Sequence, residues 1–413
     1  MSILNVNQIQ PVGSGQTVTI SAANITASSS AITASSITAT SGTLSGISSV
    51  STTNLTVNGN AIASTGPLSN RNIIINGAMT VAQRGTQATG VTDTNFRTVD
   101  RFKEEINSLG TWTIDQATDA PDDFTFSFKA TCTTANASPT ANAYSYLGYK
   151  VEAQDLQKLN YGSSAARAMI LSFWVKSNKT GNSTVTVLQR DNSIKLLSPQ
   201  YSISSANTWE YKTISIPGDT AGVINNDNGS GLELEFYFNA GSTYTSGSHQ
   251  TTWSTYNASN RCPSNLGVGG ATSDYFAITG VQLEVGTVAT PFEHRSYGDE
   301  LARCQRYYHR VTSNNDHTIG VGYNQNTSAT RHMIFFPVTM RVQPSALEQS
   351  GTAADYSIYH GTSLTVCTSV PIFTNCTTHC AEVQAAASGS LTAGQGSLLS
   401  MESTGYLGWS AEL

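Results

Sequence analysis

Residues 232–239 read Leu-Glu-Leu-Glu-Phe-Tyr-Phe-Asn. Successive side chains of a strand point to opposite sides, so Leu232, Leu234, Phe236 and Phe238 share one face and Glu233, Glu235 and Tyr237 the other. The same period of two recurs between residues 71 and 297, in FTFSFKAT, MILSFWVKS, STVTVLQR, EYKTISIPG and YFAITGVQLEVG. Loops rich in Gly, Asn, Asp and Pro separate these runs. Short strands with turn chemistry between them predict a β-sandwich of the jelly-roll kind. Two stretches read as helices, VEAQDLQKLN (151–160) and GDELARCQRYYHR (298–310). In the second, Leu301, Cys304, Gln305 and Tyr308 fall at i, i+3, i+4 and i+7, a narrow apolar face that would pack between domains or against symmetry-related copies.

Residues 311–413 predict a second β-sandwich domain. Its strands are HTIGVGYNQ, RHMIFFPVTM, DYSIYHG, SLTVCTS, CAEVQAAAS, SLLSMES and YLGWSAEL. The last of these ends on Leu413 and is expected to be built into the fold.

Residues 1–70 carry no Asp, Glu, Lys or Arg; the first such side chain is Arg71. Ser, Thr, Ala, Asn and Gly dominate, and between residues 24 and 40 a phrase repeats: NITASSS, AITASS, ITAT. Single apolar residues recur at Ile20, Ile25, Ile32, Ile37, Leu44, Ile47, Val50, Leu55, Val57 and Ile62. One chain alone cannot bury such isolated side chains, but copies wound about a common axis can. The expectation is a homotrimeric β-structured shaft, with a flexible Ser/Thr tether as the alternative. TTNLTVNGNAI (52–62) would end the shaft at an Asn58-Gly59 turn. Composition changes at 64–71. The expected organisation is an attachment and shaft segment over 1–66, a jelly-roll sandwich like a carbohydrate-binding module over 67–297, a connecting helix over 298–310 and a second sandwich over 311–413.

The chain has 413 residues, 12% of them charged, and a net charge of −6, whereas Ser and Thr make up about a quarter. Average soluble domains are about 25% charged. The 21 Lys and Arg form no run, which argues against a nucleic-acid groove. No apolar run reaches the ~18 residues of a membrane span, and MSILNVNQIQ lacks a signal peptide's basic start and apolar centre. A soluble chain made in a cytoplasm is expected. Six scattered cysteines fit free thiols. Cys376, His379 and Cys380 lie within five residues, but a tetrahedral zinc site needs four ligands and no matching second pair is near.

Catalytic constellations are missing from the pattern. There is no G-x-S-x-G elbow, H-E-x-x-H helix or P-loop. Adjacent acids such as Asp122/Asp123, Glu104/Glu105 and Asp299/Glu300 would point apart rather than form a glycosidase pair. NNDNGSG (225–231) lacks the spacing and closing Glu of an EF-hand and reads as a turn. Asp100, Arg101, Glu284 and Glu293-His294-Arg295 read as ion pairs closing sandwich edges, and Trp174 and Trp209 as core side chains, with ligand stacking as the alternative. The binding candidate is the polar loop 241–262 with Tyr244, His249, Trp253 and Tyr256, whose rings could stack on sugar faces while amides and hydroxyls bond the rims. Alternatively, that loop packs back on its own domain. Polar loops 312–318 and 324–330 of the last domain form a second candidate region.

Several segments, in order, resemble a domain common in structural proteins of marine tailed phages. They are NRNIIINGAMTVAQRGT (70–86), TVDRF (98–102), LSFWVKSNKTG (171–181), TWEYKTISIPGDT (208–220) and ITGVQLEVGTVATPFEHRSYGDELARCQRYY (278–308). FFPVTMRVQPSA (335–346) and GYLGWSAEL (405–413) resemble that family's C-terminal sandwich, and MSILNVNQIQPVGSGQ and TTNLTVNGNAI resemble tail-fibre attachment and shaft segments. The resemblance implies a virion structural protein: a non-enzymatic homotrimeric tail fibre without a cofactor, assembled in the host cytoplasm. It would be held by its N-terminus on a phage tail or adaptor protein, and its β-domains would bind a host surface polysaccharide. A capsid-attached fibre or decoration protein is the alternative; a polysaccharide-degrading spike is the third reading.

Overall fold

The run at 232–239 lies inside a longer strand, Ser230–Ala240, in the interior of a seven-stranded antiparallel sheet. The computed structural model describes residues 55–57, 60–62, 70–312, 317–402 and 404–413. The repeats read as a wound shaft fall, up to residue 54, outside the described residues. The strands Leu55–Val57 and Asn60–Ile62 pair antiparallel, with Leu55 opposite Ile62.

Sheet I runs in the order Ser254–Thr255, Lys195–Leu197, Gly181–Gln189, Ser230–Ala240, Tyr144–Glu152 and Phe102–Asn107, with Gln200–Ile203 also paired to Gly181–Gln189. Sheet II runs Glu210–Ile216, Met169–Ser177, Tyr275–Val285, Ser127–Thr134, Thr111–Ala117 and Gln87–Val91. Their inner faces meet in one core around Trp112, Phe128, Phe173, Phe236, Phe238 and Phe276. Phe238 and Phe276 come from opposite sheets with ring centroids 4.7 Å apart. This is the sandwich that alternation predicted.

The acidic face of the Ser230–Ala240 strand is buried too. Loop 241–262 returns over it, and Arg261 donates from Nε to Glu235 at 3.0 Å, while the Tyr237 hydroxyl donates to the same carboxylate at 3.2 Å. Glu233 pairs with Arg190 at 3.1 Å. Buried carboxylates need such partners.

The C-terminal half folds as a second sandwich. Sheet III has the order Tyr308–Thr312, Tyr406–Ser410, Leu347–Gln349. Sheet IV runs Ser363–Val366, Tyr356–His360, Gly396–Met401, His317–Asn324, Ala329–Phe335, Cys380–Ala386 and Ser369–Cys376. Trp409, Tyr356, Leu399, Met401 and Met340 fill the space between them. The final strand is central in sheet III, so the chain's end is indeed part of the fold.

Both expected helices are shortened by tertiary pairing. Val151 and Glu152 stay in the strand Tyr144–Glu152, and a 3-10 helix follows at Ala153–Leu159. The second helix spans Tyr297–Gln305, capped by Ser296, which accepts a hydrogen bond from the Asp299 N–H. Tyr308 does not continue it, because residues 308–312 pair in register with 406–410. Glu300 and Cys304 are its buried residues, and Leu301 is only half-buried. Among the described residues, no helix is long and apolar enough to cross a membrane.

Trp174 and Trp209 are not in the core; Trp112 and Trp409 are. Trp174 follows inward-facing Phe173, so the alternation itself turns it outward.

Candidate functional site

On the Met169–Ser177 strand, Met169, Leu171, Phe173 and Val175 enter the core, which leaves Ile170, Ser172, Trp174 and Lys176 on the outer face of sheet II. Tyr211 lies directly opposite Trp174 across the edge pair, with ring centroids 5.4 Å apart and planes inclined by 51°. On the other side Thr279 is opposite Trp174, and the register then shifts before Gln282. Gly280 occupies that bulge with φ +61, and a Cβ there would lie 2.8 Å from Phe124 Cζ and 3.0 Å from Trp174 Cδ1. Only glycine lets the two rings close over the backbone at this left-handed position.

The row continues from Phe124 to Phe292 at 5.0 Å and to His294 at 5.3 Å, and Phe292 and His294 are 4.8 Å apart. Tyr211 and His294, at its ends, are exposed; Trp174, Phe124 and Phe292 are half-buried. The loop that brings Phe292 and His294 onto the sheet is tied down by Glu284. This buried carboxylate accepts from the Thr290 N–H and hydroxyl, both at 2.8 Å, and from Gln282 Nε2 at 3.0 Å. The Gln282 side-chain oxygen accepts from the Glu293 N–H at 2.8 Å. The rings are therefore held in place before any ligand arrives.

Polar groups flank the row. Asp119 accepts from Lys176 Nζ at 2.8 Å and from Trp209 Nε1 at 3.1 Å. Burial alone would raise its carboxyl, but the hydrogen bonds from Lys176 and Trp209 outweigh burial and hold it below its ordinary value. Trp209 thus lies against Asp119 and Lys176 on the surface.

The loop residues expected from the sequence are placed as follows. Both ring nitrogens of His249 are engaged, one with the Ser198 carbonyl at 2.6 Å and the other with Ser264 Oγ at 2.8 Å. Trp253 Nε1 donates to the Pro217 carbonyl at 2.7 Å, and its ring meets Tyr161 edge-on. Tyr244 meets Tyr144 edge-on at 5.6 Å, with the Arg261 guanidinium over its ring. Tyr256 is exposed, and its N–H donates to Ile194 at 3.1 Å. The stacking partners of Tyr244 and Trp253 thus come from outside the set of four.

Cys376 faces the core opposite Ala381, while Cys380 is opposite Phe335 on the outer face of sheet IV, so the two thiols diverge. All six cysteines are free, and no group of three or more His, Cys, Asp or Glu among the described residues could hold a metal. In the loop 225–231, Asp227 caps its own turn by accepting from the Gly229 N–H at 2.8 Å, and Asn228 donates to the Arg341 carbonyl at 3.1 Å.

The class defined by these observations is a mainly-β protein of two sandwiches, the first a jelly roll with an aromatic row on one outer face. No protein-family model and no curated protein matches the chain. Among solved structures it is similar to the enzymatically active domain of tailspike protein 4 of bacteriophage CBA120. That likeness has 13% identity and a TM-score of 0.29 over 52% of this chain, and spans only 21% of the tailspike chain. A putative sugar-binding protein from Bacteroides thetaiotaomicron is 12% identical over 52% of this chain and 100% of its own, with a TM-score of 0.29. A family 11 carbohydrate-binding module from Clostridium thermocellum, in complex with a mixed-linked β-1,3-1,4-tetrasaccharide, is 13% identical over 49% of this chain and 98% of its own, with a TM-score of 0.25.

Proposed function

We propose that the protein is a non-enzymatic fibre of a phage virion that recognises a glycan on the host surface through the outer face of sheet II. The observation that carries this reading is the ring row Tyr211–Trp174–Phe124–Phe292–His294, fixed around Gly280 and open to solvent at both ends. Sugar rings present apolar faces that stack on aromatic side chains, while their hydroxyls bond to nearby polar groups such as Thr213, Lys176 and Asp119. The fibre is homotrimeric, its residues 1–66 attach it to a phage tail or adaptor protein, and its place is the virion tail. Three copies per fibre and several fibres per particle turn weak single contacts into firm attachment.

The test is titration of the full chain with fragments of host surface polysaccharide, followed by tryptophan fluorescence. Trp174→Ala with Tyr211→Ala should weaken binding at least about tenfold while the unfolding midpoint stays within a few degrees. Unchanged affinity would remove the row from the reading, and loss of binding in Tyr256→Ala instead would move the site to loop 241–262. Release of reducing ends from the polysaccharide would overturn the non-enzymatic assignment.

A further inference from the structure

Among the described residues, the second sandwich is covered on one side only. The inner face of sheet IV carries Tyr356, Ile358, Val383, Leu399 and Met401 into the core against sheet III. Antiparallel sheets of this kind ordinarily show water a polar outer face. Sheet IV shows an apolar one. Leu364, Tyr359, Leu398, Val321 and Met333 are paired in register, one from each of five adjacent strands, and form a continuous line across the outer face. Phe335, at 69% exposure, extends the patch along its strand beyond Met333, and Tyr323 widens it beside Val321, with Gly396 opposite on one neighbouring strand and Arg331 on the other. Val366 and Ile372 carry it to the two edge strands.

We propose that this face is where copies of the protein join, the outer side of sheet IV in one copy packing on that of another. The inference rests on the multimeric reading above and names the surface that reading lacks. Three observations select a copy of the same chain as the occupant. The facing ionic pair is Arg331 and Glu382, which bind each other at 2.9 Å, so the face is electrically neutral and two copies meet without like-charge repulsion. An anionic membrane surface or a nucleic acid would need free cations there. Seven large apolar side chains on the face are exposed by roughly half. Together they offer roughly 600 Å² per copy, approaching the ~800 Å² per partner of a standard stable interface and at the upper end of the largest patch a typical monomer exposes. Finally, the edge strand Ser369–Cys376 contains Pro371, which has no N–H to give an added strand, so association goes through the face and not along that edge.

The test uses the full chain with p-benzoylphenylalanine in place of Tyr359, irradiated and resolved under denaturing conditions, beside light scattering of the unmodified protein. Cross-linked species at twice or three times 43.7 kDa are expected, and Val321→Glu with Phe335→Glu should abolish them. Both sites are exposed, so these variants should keep the monomer's fold, as circular dichroism would record. A dimeric mass in scattering, with cross-links at that mass, would support the face while overturning the threefold reading. A trimeric mass in scattering with no cross-link would overturn this face and leave the threefold reading standing. A monomeric mass at all concentrations would overturn both.

Discussion

Arg101 and Glu412 are 311 positions apart and form a buried ion pair that joins the two sandwiches. Arg101 also donates to the Lys150 carbonyl at 2.8 Å, and its guanidinium lies over the Tyr307 ring at 3.5 Å. Around it, Arg306 binds Glu152 at 2.6 and 3.0 Å, and the Tyr307 hydroxyl donates to the same carboxylate at 2.8 Å. Arg341 donates to the carbonyls of Ala411 and Glu412 and, from the other side, to that of Asn228. The segments 70–86, 98–102, 278–308 and 405–413 thus meet at one seam: Ile73 donates to Leu283, Asn72 bonds Val281 and Leu283, and Gln83 bridges Asp100 and Tyr308. Of the charged residues expected to close sandwich edges, Arg101 is joinery between the sandwiches, whereas Glu284 pairs with Arg71 and Glu293 with Arg295 inside the first.

Removing one partner of that pair leaves a charge buried alone. Arg101→Met should cost ~3–5 kcal/mol in urea unfolding, and Arg101→Met with Glu412→Leu should recover much of the loss, since apolar replacement of a whole buried pair is often tolerated. A double variant no better than the single one would place the contribution of Arg101 in its stacking on Tyr307.

Glu104 is buried with neither carboxylate oxygen hydrogen-bonded. Burial raises its carboxyl to about 8, and Arg97 at 3.7 Å does not outweigh it. The folded chain therefore keeps a proton that the unfolded chain sheds above about pH 4.5. This contribution is full below pH 4.5 and is lost as pH rises through 8. Glu104→Gln, which has no proton to lose, should match the parent near pH 5 and exceed it by ~2–4 kcal/mol at pH 8.5. Equal pH profiles for the two proteins would refute the assignment.

His309 and His332 behave oppositely. Burial lowers both imidazoles to about 4. His309 stacks on Trp409, and His332 is hydrogen-bonded to Thr330 and Ser397. Each is neutral in the folded state while the unfolded chain takes up a proton below about pH 6.5. Stability is thus complete above 6.5 and falls as pH drops toward 4, by on the order of 2–3 kcal/mol per histidine. Imidazole proton resonances followed from pH 7.5 to 4 should show two rings titrating below pH 5; normal titration near 6.5 would rule this out.

Gly280→Ala places a methyl group against Phe124 and Trp174 at a left-handed backbone position. The expected cost is ~1–2 kcal/mol, together with weaker glycan binding than stability alone explains. Full binding in this variant would mean that the closure between the two rings does not matter to the site.

Much of the architecture was readable from the period of two. The strands at 169–177, 183–190, 232–239 and 275–286 lie where alternation placed them, as do His317–Asn324, Tyr356–His360, Cys380–Ala386, Gly396–Met401 and Tyr406–Ser410 of the second sandwich. Leu347–Gln349 and Ser369–Cys376, by contrast, are not among the expected strands, and Tyr308–Thr312 forms a strand where a helix is expected. The site was legible in one respect only: Trp174 shares parity with Ser172 and Lys176, the polar side of its strand. Size favoured a core reading of Trp174, and parity was the better guide. Tyr211 shares the exposed parity of Thr213 and Ser215 on its edge strand, but Phe124, Phe292 and His294 carry no such local mark, because they reach the same surface from loops.

The sequence by itself determined that the chain is β-rich, charge-poor and built of strands with one apolar face, because side-chain alternation is a local property of extended backbone. Only the tertiary structure decided which second faces are covered. Glu235 is buried because a loop ending at Arg261 folds over it, and Val321 and Phe335 are bare because nothing among the described residues covers them. Covering a face depends on residues far away in sequence, and alternation, with its reach of two residues, carries no information about them.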